Sequence, residues 1–156
     1  MKKSQLVLWV IWFALFSAVF IYAVVALNVV GPAESSDETS TLPSEGFSSQ
    51  TLLFGALAFG GFASCLLAAG FFRRRWEARR VNETIVWGPD ILAGAIVVWA
   101  LAESIAILGL VALLVGVPPA LGAVCFGVGS ALLMVLNPAF LFPKGIGWPD
   151  ELEPAA

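Results

Sequence analysis

Histidine is absent from this 156-residue chain, which removes the usual metal ligand and the ordinary proton shuttle near neutral pH. Charge is scarce too: Asp, Glu, Lys and Arg make up 12% of the residues, against about a quarter in soluble proteins. Cysteine is confined to Cys65 and Cys125, both inside apolar runs and without C-x-x-C spacing. That pattern excludes a disulfide framework or a zinc site and reads as two buried structural thiols. No G-x-x-x-x-G-K, G-x-S-x-G or H-E-x-x-H stretch occurs, so neither nucleotide binding nor ordinary hydrolysis has a motif to stand on. No catalytic residue, metal, cofactor or nucleic-acid partner is expected.

What the chain has is apolar sequence. Hydrophobic residues reach 60%, which places it in a membrane. The polar remainder is too small for a separate soluble domain of about 50 residues. Residues 1–156 therefore read as a single membrane domain. The expected fold class is all-α, a polytopic membrane protein with four transmembrane helices in an up-down bundle. The spans are expected at about residues 5–30, 51–72, 91–117 and 120–142, with an acidic loop at 31–50, a basic loop at 73–90 and a tail at 143–156.

The first run exceeds the roughly 7 to 15 residues of a signal-peptide core and meets no clear cleavage site, so it is expected to remain as a helix. Trp9 and Trp12 read as interfacial anchors. The 31–50 linker holds Glu34, Asp37, Glu38 and Glu45 and no base; it buries too little apolar surface to order itself. The second span is rich in small residues, which let helix backbones approach closely in lipid. Arg73, Arg74, Arg75, Arg79 and Arg80 then crowd into one short loop. They are expected to set the topology by holding that loop in the cytoplasm, with anionic-lipid binding as a second role. Lys2 and Lys3 lie two crossings away, so both signals agree, and four crossings put both termini in the cytoplasm. Pro118-Pro119 is expected to stop the third span, and the short turn makes the third and fourth spans antiparallel neighbours. Asn137-Pro138 interrupts the fourth about one turn before its end.

Glu103 is the one charged residue inside an apolar run. A charged carboxylate at that depth costs roughly 2.5 to 3.5 kcal/mol on insertion scales, so it is a functional-site hypothesis by default. On a helix it shares a face with Trp99, Ala106 and Leu110, beside a packing seam of Ala95, Ala102, Ala106 and Gly109. Ser104 and backbone carbonyls are its obvious local partners.

The stretch Trp99-Ala-Leu-Ala-Glu-Ser-Ile-Ala-Ile-Leu-Gly-Leu-Val-Ala-Leu-Leu114 resembles the second helix of the proteolipid c subunit of rotary ATP synthases. Its context, a small-rich helix and a basic loop before the carboxylate helix, resembles the c hairpin over about residues 51–117. The resemblance implies that Glu103 carries a proton or sodium ion and that Ser104 stands where sodium-binding members place a serine. The alternating-glycine signature of the family's first helix is absent from residues 51–72, and the acid is in the third span, whereas four-span vacuolar-type proteolipids carry theirs in the fourth. The overall pattern is also similar to small bacterial four-span membrane proteins with an Ala-Glu-(Ser/Ala)-Ile-Ala type motif, which implies a bacterial inner membrane.

Three functions remain open: a c-like ion-binding protein acting through Glu103, a non-catalytic accessory or assembly subunit of a larger membrane complex, and a small transporter. The expected partners are the lipid bilayer and either other membrane subunits or further copies of the chain.

Overall fold

The computed structural model describes residues 3–30, 49–81, 84–143 and 146–147. Lys2, most of the acidic loop and most of the tail lie outside the described residues. The chain runs α1 (Lys3–Val30), α2 (Ser49–Glu77), β1 (Arg80–Val81), β2 (Thr84–Val86), α3 (Pro89–Leu114), α4 (Pro119–Val135), α5 (Pro138–Leu141) and β3 (Ile146–Gly147). Three helices, α1, α2 and α3, are long and apolar enough to cross a membrane, and α4 is a shorter apolar helix. The fold is that of a helical membrane protein.

Two boundaries differ from expectation for physical reasons. The third helix ends at Leu114 rather than Val117, because Gly116 adopts a left-handed φ of 79°. The Val117 amide then turns back to the Ala112 carbonyl at 3.1 Å, the closure of a Schellman motif. The two prolines therefore do not stop α3. Pro118 and Pro119 start α4, where a missing amide hydrogen costs nothing. The basic segment also differs from a simple loop: α2 continues through Arg73, Arg74 and Arg75 to Glu77, and β1 and β2 follow it.

α3 is central. α4 returns along it so closely that a methyl group added at Gly109 would lie 2.6 Å from the Gly122 carbonyl oxygen and against the Phe126 amide. One added at Gly129 would meet the Ala102 carbonyl oxygen at 2.8 Å and the Ala106 amide. The seam residues Ala95, Ala102, Ala106 and Gly109 are all buried. α2 packs on the other edge of the buried arc, with Gly61 against Ile105 and the Cys65 thiol donating to the Val98 carbonyl at 3.6 Å. α1 also packs on α3.

Proline at 138 ends α4, since it has no amide hydrogen to give the preceding turn. The freed carbonyls are taken by side chains. The Trp12 indole donates to Leu133 O at 2.8 Å, Asn137 Nδ2 to Met134 O at 2.9 Å, and the Trp99 indole to Leu136 O at 2.6 Å. Asn137 Oδ1 in turn accepts from the Phe140 amide at 2.9 Å and caps α5.

The strands form a sheet of order β1-β2-β3, antiparallel between the first two and parallel between β2 and β3. Ile146, fully buried, pairs with Ile85. The segment after α5 is thereby tied to the segment after α2.

The glycine contacts predict a contrast. Gly109→Ala should destabilise the bundle by about 1–3 kcal/mol through overpacking against backbone. Gly60→Ala, where an added methyl meets nothing within 4 Å, should stay within about 0.5 kcal/mol. Unfolding in mixed micelles by added SDS reads both.

Candidate functional site

Glu103 is placed by α3, about 21 Å from the helix start and about 17 Å from its end at roughly 1.5 Å per residue. It is half-buried. No hydrogen bond or ion pair from the described residues reaches its carboxylate.

Its direction follows from the packing. Ala102, the residue before it, lies against Gly129 at the point where α3 and α4 touch. One residue onward turns a side chain by about 100°. Because α4 runs antiparallel, the same step from Gly129 to Ser130 turns to the same side of the pair. Glu103 and Ser130 therefore flank one crossing point, at one depth. That side faces away from α2, whose contacts fall on Gly94, Val98 and Ile105 of α3. It is the side of α1, which reaches α4 through Trp12 and Leu133, about one turn after Ser130 along α4.

Ser130 Oγ is buried and has no hydrogen-bond partner. A buried hydroxyl left unpaired costs about 1–3 kcal/mol, and each such group calls for a reason. A carboxylic acid and an unpaired hydroxyl on one side of a helix pair can share a proton or hold a small cation. The two groups have the chemistry to donate to and accept from one another.

The other expected site residues are placed as follows. Ser104 is exposed, about 100° further around α3, and its hydroxyl donates to the Leu101 carbonyl at 2.8 Å. The structure does not bring it together with Ser130. Ala95, Ala102, Ala106 and Gly109 line the contact that sets Glu103 on its flank. Of the arginines, Arg79 pairs with Asp90 at 2.8 Å, Arg75 lies 4.0 Å from the same carboxylate, and Arg73 lies 3.6 Å from Glu77. Asp90 stands in the first turn of α3, where a negative charge also favours the helix dipole. Arg74 and Arg80 have no carboxylate partner among the described residues. Cys65 and Cys125 are free and buried.

Ser130 is the candidate residue that sequence reasoning passed over, as one of several small residues in the stretch that forms α4. A signal was present. The turn at Gly116 is short, and Glu103 precedes it by almost the same number of residues as Ser130 follows it.

Compared with protein-family models, with curated proteins and with solved structures, the chain matches none.

If the carboxyl of Glu103 makes no structural bond, removing it should not weaken the bundle. Glu103→Leu should leave stability unchanged or raise it by up to about 2 kcal/mol, as apolar replacements of uncompensated polar groups do. The same SDS titration measures it, and a clear loss would assign Glu103 a structural bond.

Proposed function

We propose that this chain is a four-crossing membrane protein that binds and releases a proton at Glu103, in the manner that its resemblance to the c proteolipids suggests. The observation that carries this reading is the pairing of position and vacancy. Among the described residues, Glu103 is the one acid away from the helix ends; it lies half-buried near mid-depth, without a partner, on the same flank and level as an orphaned serine hydroxyl. In hydrocarbon the neutral acid is the tolerated form, and it ionises when water or a cation reaches it. The Ser130 hydroxyl would accept from the protonated acid and donate to the carboxylate, which smooths exchange between the two states.

The fourth crossing is supported by the sheet. β3, after α5, pairs with β2, after α2, so the chain leaves one side through α3 and comes back to it. α4 alone spans about 25 Å at roughly 1.5 Å per residue, and α5 continues the path. The five arginines stand at this end of the bundle, which favours assigning it, together with both termini, to the cytoplasm.

In proteoliposomes, dicyclohexylcarbodiimide should modify the wild-type carboxyl, locate to Glu103 by peptide mass, and fail to modify Glu103→Gln. Protection by sodium would assign that ion in place of the proton. A wild-type carboxyl that stays unmodified removes the ion-carrying reading.

A second reading, an accessory or assembly subunit, is favoured by a different observation. Added methyl groups at Gly55, Gly60 and Gly70 of α2 meet nothing within 4 Å. An apolar groove of about 280 Å³ lies at Gly55, lined also by Phe59, Phe62, Ile105 and Cys125. Small residues facing outward in lipid are suited to close approach by another helix. Gentle extraction followed by native mass measurement should then return this chain with a second membrane subunit or with further copies of itself; a lone monomer in every detergent counts against this reading.

A further inference from the structure

The inner end of the bundle carries a second polar arrangement, separate from Glu103. A crevice of about 200 Å³ opens there between the end of α2, β2 and the segment following α5. Arg73 and Arg80 line it, its walls are Trp76, Ile85 and Leu141, and Glu77 stands at its edge. Trp76 is 1% exposed, stacked between Phe72 and Phe142. Its indole Nε1 is buried and has no acceptor.

The charges around the crevice are not used up by the protein. Arg75 and Arg79 are turned to Asp90. Arg73 has only Glu77, at 3.6 Å with both side chains about half exposed, a contact worth little. Its guanidinium also lies over the Phe140 ring at 5.9 Å from the centroid, which orients it without neutralising it. Arg80 has no acidic partner among the described residues. The surroundings therefore offer two guanidinium groups beside an apolar floor. The crevice also lies where the apolar part of α2 gives way to Arg73, which is the headgroup level of a bilayer.

We propose that this crevice binds a phosphate group, with Arg73 and Arg80 as its charged ligands. Guanidinium groups recognise phosphate oxygens through paired hydrogen bonds that lysine cannot reproduce. The apolar wall beside the arginines suits a phosphate attached to a glycerolipid, and a free phosphate would satisfy the same donors. This assignment is independent of Glu103 and stands or falls without it.

The test uses the full chain in nanodiscs. One arm compares zwitterionic lipid with the same lipid containing phosphatidylglycerol and counts anionic lipid retained on the protein by native mass spectrometry. The other adds inorganic phosphate to protein in zwitterionic nanodiscs and follows thermal unfolding. Retention of phosphatidylglycerol in the first arm assigns a lipid headgroup; a phosphate-dependent rise in unfolding temperature in the second assigns a free anion. In either case Arg73→Gln with Arg80→Gln should weaken binding about thirtyfold, at roughly a factor of five for each charge near the surface. Arg73→Lys with Arg80→Lys, which keeps the charge and loses the fork, should fall in between. If the lysine pair folds and binds as wild type does, or if neither arm shows binding, the site is overturned.

Discussion

In hydrocarbon there is no water to satisfy a backbone carbonyl, so a helix that breaks there must find donors within the protein. Pro138 forces such a break at the C-terminal end of α4, and the response involves three helices at once. Trp12 of α1 and Trp99 of α3 each give an indole hydrogen to a freed carbonyl, and Asn137 closes the remaining gap while capping α5. These bonds do more than repair α4. They fix α1 on the side of α4 opposite α2, and so decide what covers the flank bearing Glu103 and Ser130. Trp99 is wholly buried, which gives its bond the low-dielectric setting where a lost partner is most costly.

The bundle is unevenly packed around that point. Between α3 and α4 the backbones meet directly at Gly109, Gly122 and Gly129, leaving no room for adjustment. α2 makes a lighter contact, through Gly61, Cys65 and the aromatic pair Phe72 and Trp76, and leaves most of its length exposed. In lipid such exposure carries no hydrophobic cost, because the tails are as apolar as leucine. The α3–α4 hairpin is thus the rigid part, and the acid is carried by that part. α2 is free to serve contacts outside the chain without disturbing it.

Much of this was legible in the residues. The apolar runs located α1, α2 and α3 closely, since a long stretch without charge has few alternatives to a spanning helix. The seam of Ala95, Ala102, Ala106 and Gly109 was visible as a spacing of small side chains. The end of α3 was misjudged because Pro118-Pro119 is a stronger signal on paper than Gly116, although the glycine closes one helix and the prolines open the next. The strands were not legible: two- and three-residue strands have too little pattern to show, and β2 is completed by β3 from a distant part of the chain. Ser130 was hidden for a related reason. A serine among glycines and alanines reads as packing until a partner helix sets it level with a carboxylate.

The distribution of polar groups on that flank bears on what the acid can do. On α3 and α4, the polar side chains on the α1 side are Ser130, level with Glu103, and Asn137, about two turns further inward and already committed to the helix break. Outward from Glu103 the same flank is Ile107, Leu110, Phe126 and Ala123, all apolar. A further polar approach, on the other side of Glu103, is missing from α3 and α4. Net transfer would need that approach from α1 moving aside or from another subunit. Proton carriage and membership in a larger assembly are therefore linked readings: the first, taken as far as transport, requires a further contact, and the exposed face of α2 leaves room for one.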